Sequence, residues 1–215
     1  MNIIDLTHVI EPGMPVYPGT EPPVLSAANG YEDSGFRETL LTLASHTGTH
    51  MDAPAHLFPD GAALDGFAPS QFVGTGLVVR CTDLAEGDEV PLARVLELGE
   101  RAERVDFLLF HFGWDRFWGS ARYFADYPVL SLELVAHLTR TGIKGIGLDT
   151  IGLDPISDGG LARHRLFLEG GKRVIVENLC RLDQVGSEPF TFVSLPLKFQ
   201  NADGAPTRAV ALMDA

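Results

Sequence analysis

The sequence is poor in cysteine and in basic residues, and both shortages narrow the range of functions. Two cysteines occur among 215 residues, and Cys81 and Cys180 form neither a CxxC pair nor a cluster, which excludes a disulfide scaffold and a zinc finger. Sixteen lysines and arginines stand against 29 aspartates and glutamates, for a formal net charge of −13. Because such a surface repels phosphate backbones and anionic lipids, we expect no nucleic-acid partner and no membrane partner.

The chain also lacks long apolar runs, internal repeats and low-complexity linkers. No stretch approaches the ~18 apolar residues that a membrane-spanning helix requires. Asp5 and Glu11 interrupt an N-terminal segment that has no basic start, so we expect no signal peptide. Together with the isolated cysteines, these features predict a cytoplasmic protein whose residues 1–215 form a single domain.

Short apolar segments alternate with glycine and proline along the chain, which is typical of a mixed fold. Helical periodicity predicts helices at 92–102, 131–140 and 161–168, the second with Ser131 as its N-cap and with Leu132, Val135 and Leu138 facing inward. These elements favour an α/β fold (mixed α+β) in which helices flank a mixed β-sheet core. Strands are predicted where short segments are largely apolar, namely at 3–6, 77–79, 105–110, 143–148, 174–176, 190–197 and 207–212.

Residues 44–58 hold the densest group of chemically active side chains, with His46, His50, Asp52 and His56 falling within 11 residues. In an extended chain, alternate side chains share a face, so the first three of these would point to the same side. In a helix, Asp52 would lie roughly 200° from His50, and residues 47–49 are poor helix formers. We therefore predict a strand or strand end that presents two imidazoles and one carboxylate at one point.

Two imidazoles and a carboxylate suit Zn²⁺, and also Mn²⁺ or Fe²⁺. Three protein ligands leave a coordination position free, as catalytic metal sites do. His56 follows Asp52 by four residues, beyond the turn at Pro54, and a titratable imidazole there is suited to acid–base work. Any one of these histidines alone would be a surface or core residue, but four groups at this spacing favour a metal site.

The segment resembles the HxGTHxDAPxH signature of the cyclase family, whose members include the bacterial kynurenine formamidases, or arylformamidases. Further stretches are similar to other parts of the family pattern, and the resemblance extends over nearly the whole chain. It implies the swivelling β/β/α fold of that family. The supporting stretches are 5–8 with 14–19, 147–150 with 154–155, 176–179 and 195–198.

The resemblance implies a role for each matching residue. His46, His50 and Asp52 would bind one metal ion, and Asp52 would also contact a second ion held by His164 and Glu177. From the residues alone, neither of these last two could be joined to the site. His164 stands between two arginines, as a surface histidine would, and Glu177 has the position of a solvated carboxylate at a strand end.

Two more positions complete the set that the resemblance implies. His56 would be the catalytic acid and base. Tyr17 stands where the formamidases carry a tryptophan that stacks on the substrate, and it is the predicted substrate-binding residue. An aromatic cluster at 114–124 and His111 are predicted to belong to the core, with a pocket wall or, for the cluster, a subunit interface as alternatives.

The implied activity is metal-dependent hydrolysis of a small aryl formamide. N-formyl-L-kynurenine, cleaved to L-kynurenine and formate in tryptophan degradation, is the first candidate, with one or two Zn²⁺ ions and Mn²⁺ as the alternative metal. Tyr17 departs from the formamidase pattern, and the segment 113–119 resembles the wider family more than the formamidases. Hydrolysis of a cyclic amide or lactone, as by isatin hydrolase, is therefore an alternative, and a non-catalytic metal-binding protein is a third. We expect a small aromatic amide and further copies of this chain, in a homodimer or larger homo-oligomer, as partners.

Overall fold

The structure is a computed structural model that describes residues 1–213. No helix in that range is both long enough and apolar enough to cross a bilayer. The helices are short: α1 (Tyr31–Ser34), α2 (Leu92–Leu96), α3 (Glu100–Glu103), α4 (Leu132–Leu138) and α5 (Ala162–Leu168). The strands are β1 (Asn2–Asp5), β2 (Val24–Asn29), β3 (Glu38–Thr42), β4 (His50–Asp52), β5 (Val73–Arg80), β6 (Glu89–Val90), β7 (Phe107–His111), β8 (Val129–Leu130), β9 (Gly145–Leu148), β10 (Val174–Glu177), β11 (Phe190–Pro196) and β12 (Gly204–Met213).

Eight strands form one mixed sheet in the order β1-β12-β11-β5-β7-β9-β10-β4, and β4 also pairs with β12. This additional pairing closes the sheet into a barrel, with β1 lying along the same edge of β12 as β4. Strands β5, β7, β9 and β10 run parallel, whereas β4, β11 and β12 are antiparallel to their neighbours. The predicted fold class, helices around a mixed sheet, is confirmed.

The alternation of side chains along the strands produces two apolar cores. On β7, Phe107 and Leu109 belong to the cluster inside the barrel. Leu108 and Phe110 point outward and pack with residues of α4 and α5. Burying each such side chain contributes about 1.5–3 kcal/mol. The outer core therefore holds α5 against the barrel near the carboxyl ends of the parallel strands, where open α/β sheets bind ligands.

Two details of the helix predictions are wrong. The helix predicted at 92–102 is divided into α2 and α3, because Gly99 adopts a φ of 54° that a helix does not tolerate. In α4, Leu132 is 47% exposed, and Leu134 takes the buried position beside Val135 and Leu138. The periodicity thus predicted the helix correctly, but the inward-facing residue of its first turn is Leu134, two positions after Leu132.

A hairpin of β2 and β3 was not predicted and stands apart from the barrel. It forms its own two-stranded sheet, and every residue of β3 is exposed. Several of its side chains are nevertheless large and apolar, which is unusual for a surface hairpin. The exposed apolar residues of the hairpin and its tip are Val24, Tyr31, Phe36, Leu40 and Leu41.

The N-cap of α4 provides a test of this local structure. The hydroxyl of Ser131 accepts a hydrogen bond from the backbone N–H of Leu134 at 3.2 Å. We expect Ser131→Ala to lower the free energy of unfolding by about 1 kcal/mol, measured by urea denaturation. Ser131→Asp keeps an acceptor and should retain most of that stability; an unchanged free energy in the alanine variant would contradict the capping role.

Candidate active site

His50 and Asp52 lie at the two ends of β4, and their side chains point to the same side of the sheet, as the alternation predicts. His46 is not on the strand. It lies in a turn, and Gly48, with a φ of 67°, redirects the chain before β4 begins. The extended conformation predicted by the alternation is therefore wrong for His46, although the turn still brings its imidazole to the other two groups.

The carboxylate of Asp52 is the centre of the cluster. Its Oδ1 lies 2.7 Å from Nδ1 of His46 and 3.2 Å from Nε2 of His50. Its Oδ2 lies 3.5 Å from Nε2 of His164. That imidazole nitrogen is also 3.0 Å from Oε1 of Glu177. The structure thus places the five residues named as metal ligands around one point.

His164 and Glu177 reach the cluster through tertiary contacts. Glu177 is the last residue of β10 and pairs with His50 in the antiparallel register of β10 and β4. His164 lies on α5, which the outer core packs against the barrel. Both side chains are buried, so neither is the surface group that the local sequence indicated.

Neighbouring carbonyl and carboxylate groups fix the orientation of two imidazoles. His50 donates from Nδ1 to the carbonyl of Gly48 at 2.9 Å, and His164 donates from Nδ1 to Oδ2 of Asp154 at 2.7 Å. In both rings, Nε2 is then left to face the cluster, as it is in histidines that bind metals. Asn178 holds the same Gly48 carbonyl by a 2.9 Å bond from its side-chain amide. Sequence reasoning gave neither Asp154 nor Asn178 a role.

The cluster has a strongly negative potential. Burial opposes protonation of His46, but the carboxylates of Asp52 and Asp203 outweigh it and raise the pKa of its imidazole to about 10. Burial likewise opposes protonation of His164, and bonds to Asp154, Asp52 and Glu177 raise its pKa well above the ordinary value. A potential that stabilises protonated imidazoles so strongly would stabilise a metal cation at the same place.

The donor atoms fit a divalent transition metal. Among the five candidate ligands, imidazole nitrogens and carboxylate oxygens form two groups of three, within each of which the donor atoms lie no more than 4.8 Å apart. Asp52 belongs to both groups, which allows it to bridge two ions. The groups are His46, His50 and Asp52, and Asp52, His164 and Glu177.

His56 lies beside this cluster in the short 3-10 turn Pro54–His56. Its ring centroid is 4.1 Å from that of His46, and its Nδ1 is 4.0 Å from Oδ2 of Asp203. Burial lowers the pKa of His56, so the imidazole is neutral at pH 7 and able to accept a proton. Asp203, which also lies 3.1 Å from Nε2 of His46, was not predicted, because it lies at the far end of the chain.

The cluster opens into a cavity of about 410 Å³, large enough for a small aromatic molecule. Its walls include Tyr17, His56 and all five candidate ligands. The aromatic cluster at 114–124 does not line it; Trp114 and Tyr123 are fully buried members of the outer core. The core position predicted for the cluster is therefore observed for Trp114 and Tyr123, whereas Phe117, Trp118 and Phe124 are half-buried and pack against that core; His111 is likewise buried outside the cavity lining.

Known proteins resemble this chain over nearly its whole length. The family model named Cyclase matches residues 4–155, and the chain belongs to the cyclase family. A kynurenine formamidase of Bacillus mycoides is 31% identical over 209 residues, covering 96% of this chain and 95% of that protein. A kynurenine formamidase of Bacillus thuringiensis is 30% identical over the same shares.

Solved structures with the same fold include other hydrolases. Isatin hydrolase A from Ralstonia solanacearum superposes with a TM-score of 0.88 at 26% identity, over 99% of this chain and 92% of that one. A structure described as a predicted metal-dependent hydrolase from Bacillus stearothermophilus gives 0.79 at 26% identity, over 98% of this chain and 97% of that one. The fold and the hydrolase class are thus common to relatives whose named substrates differ.

A substitution at Gly204 tests the position of the His46 side chain. A Cβ atom at Gly204 would lie 2.5 to 2.9 Å from three atoms of the His46 ring, so any side chain there must displace the imidazole. We expect Gly204→Ala to weaken the retention of Zn²⁺ at least tenfold, measured by competition with a chelator. Gly66→Ala is the matched control, because nothing lies within 4 Å of the added atom. Equal retention by both variants would refute the placement of His46 among the ligands.

Proposed function

We propose that this protein is a metal-dependent hydrolase that cleaves the carbon–nitrogen bond of small aryl formamides, of which N-formyl-L-kynurenine is the first candidate. The single observation that carries the proposal is the meeting of five candidate ligands and His56 in one cavity. The names of the relatives, kynurenine formamidases at about 30% identity over most of both chains, support the formamide as substrate. We propose further that residues 1–215 act as one hydrolase domain in the cytoplasm.

His46, His50 and Asp52 would hold one divalent ion, and Asp52, His164 and Glu177 a second. The mixed nitrogen and oxygen donors favour Zn²⁺, with Mn²⁺ as the alternative. A divalent ion held by these residues would supply Lewis-acid chemistry, lowering the pKa of a water molecule and polarising the carbonyl group of the substrate. The protein's own contribution is to keep the imidazoles in one tautomer, through Gly48 and Asp154.

His56 would move the proton that the reaction requires. Hydrolysis of the amide transfers one proton from water to the departing aniline nitrogen. A neutral imidazole at the edge of the cluster accepts that proton and then donates it to the leaving group. Its lowered pKa, caused by burial, suits the first of these steps at neutral pH. Asp203, close to Nδ1 of His56, is placed to stabilise the transient imidazolium.

The apolar walls of the cavity would hold the aromatic ring of the substrate. Tyr17 and its neighbours Pro15 and Val16 line one part of the cavity, and Ile151 and Leu161 line another. Stacking on Tyr17 would orient the ring and place the formyl group towards the ligands. This arrangement supports the predicted substrate-binding role of Tyr17.

A cyclic aromatic amide such as isatin is the second candidate substrate. The isatin hydrolase of Ralstonia solanacearum, with its TM-score of 0.88, favours it. Ring opening of a cyclic amide also hydrolyses an aryl C–N bond, so the same cluster and His56 would serve. The two candidates differ only in how the pocket walls hold the substrate.

We propose that the protein works as a homodimer or larger homo-oligomer. The hairpin of β2 and β3 exposes Val24, Phe36, Leu40 and Leu41 to solvent. Burying such side chains against a second copy would remove apolar surface from water, which would stabilise the complex by about 25 cal/mol per Å² buried. The hairpin lies between Thr20 and Ala44, which line the cavity, so a second copy there would stand beside the pocket mouth.

Metal dependence is the first property to test. We expect hydrolysis of N-formyl-L-kynurenine to stop after chelation and to return with Zn²⁺ or Mn²⁺.

Asp52→Asn should lose the metal, measured by elemental analysis, because the amide removes the charge shared by both ions. Full metal occupancy in this variant would refute the ligand assignment. Turnover of isatin alone would favour the second candidate, and bound metal with no turnover of either would favour a non-catalytic metal-binding protein.

His56 is tested separately from the ligands. We expect His56→Ala to retain its metal and to lose at least 100-fold in kcat, because general acid–base catalysis contributes about 10²–10⁴-fold. Metal content and turnover are measured on the same preparation. The mechanism assigned to His56 is wrong if kcat is undiminished, or if the metal is lost together with activity.

A further inference from the structure

The charges on the cavity wall are one-sided. Within residues 1–213, no lysine or arginine lines the cavity. Away from the ligand cluster the wall is mainly apolar, with residues such as Pro15, Val16, Ile151 and Leu161, and it carries two further carboxylates, those of Asp154 and Asp158. A ligand group that lies outside the cluster therefore meets apolar surface or a negative charge, and no cationic side chain.

Asp158 carries a charge that no side chain neutralises within the described part of the protein. Its carboxylate accepts a 2.9 Å hydrogen bond from the backbone N–H of Gly160 and a 3.4 Å bond from that of Ala162, just before and at the start of α5. No lysine, arginine or histidine nitrogen of residues 1–213 lies within 4.0 Å of it, as the ion pairs of the structure show. The two backbone bonds fix the carboxylate in place and leave its remaining lone pairs free for a ligand.

Asp154, the other carboxylate of this loop, has a different environment. It accepts bonds from the backbone and the ring of His164, and Arg163 approaches it at 3.5 Å. Its charge is thus compensated, and its oxygen atoms are occupied. Asp158 is the acidic group of the loop that remains available to a substrate.

Electrostatics then distinguishes substrates that share one reacting group. The formyl group must lie at the ligand cluster, so a substituent on the aromatic ring contacts the other walls. A carboxylate on that substituent would lose water against apolar surface and would be repelled by Asp158. An ammonium group would instead gain an ionic hydrogen bond to the carboxylate of Asp158.

We propose that Asp158 binds an ammonium group on the substituent of the aromatic ring, so that the pocket prefers aryl formamides with a cationic substituent to those whose substituent carries only a carboxylate. This inference rests on the proposed function, since it specifies the substrate class of the same site. It narrows that class to aryl formamides with an amine on the substituent, a class that includes N-formyl-L-kynurenine, whose amino-acid group carries an ammonium beside its carboxylate.

A series of compounds that differ only in charge tests this selection. Each is a 2-formamidophenyl ketone whose side chain ends in an ammonium, a methyl or a carboxylate group. We expect kcat/KM to fall in the order ammonium, methyl, carboxylate, with about a tenfold difference between the two charged compounds. A carboxylate compound that is hydrolysed as well as the ammonium compound would overturn the proposal.

Variants of Asp158 test whether its carboxylate causes the preference for the ammonium compound. Asp158→Asn keeps an oxygen that accepts from the Gly160 N–H and removes only the charge, so the ratio of kcat/KM for ammonium over carboxylate should fall towards one. Asp158→Lys should reverse it. Asp126→Asn is the matched control, because Asp126 is exposed and outside the cavity lining; a similar fall there would assign the preference to overall charge and overturn the role of Asp158.

Binding separates this inference from the proposed function. The deformylated anilines of the three compounds are titrated against the Zn²⁺-loaded protein by calorimetry, which needs no turnover. Tighter binding of the ammonium compound that is lost in Asp158→Asn supports the pocket selectivity, whether or not a formamide is hydrolysed. If such binding is seen and no formamide is hydrolysed, only the proposed hydrolase activity is refuted. Equal or tighter binding of the carboxylate compound refutes the selectivity while leaving the activity standing.

Discussion

The buried carboxylate of Asp52 is the constraint on which the rest of the site depends. It is 1% exposed and lies between imidazoles on both of its oxygens. A buried charge without partners costs several kcal/mol, so the fold must hold compensating groups beside it. One of these, His164, is far along the chain, and only the packing of α5 on the barrel brings it there. Asp154 accepts a hydrogen bond from Nδ1, the other nitrogen of that ring.

The three residues of β4 connect this charge to the stability of the barrel. β4 pairs with β10 on one side and with β12 on the other, so it is the strand that closes the sheet. Its first and last residues are His50 and Asp52. The glycine of β12 opposite Asp52, Gly204, leaves room for the ring of His46. Separating β4 from β12 would therefore open the barrel and remove the pairing that sets Gly204 beside the ring of His46.

The local part of the site could be predicted from the sequence, and the tertiary part could not. Alternation along a strand correctly places His50 and Asp52 on one side, because side-chain direction there depends only on neighbouring residues. The same rule fails for His46, since a turn separates it from the strand. Glu177 is joined to the site by strand pairing between β10 and β4, and no local periodicity encodes such a pairing. The exposed β2–β3 hairpin was missed for a related reason: its apolar side chains do not follow a core pattern.

The barrel positions the candidate ligands while the loops form the cavity walls, and this separation explains how one fold is common to relatives with different named substrates. The candidate ligands lie on or beside β4, β10 and α5, whose positions the two apolar cores determine. The walls of the cavity come mainly from two loops, around residues 15–20 and 151–161. Loop residues tolerate substitution because they carry little of the core packing. A change at Tyr17 or Asp158 can therefore alter which substrate fits without disturbing the ligand cluster, so the hydrolytic chemistry follows from the barrel and the substrate from the loops.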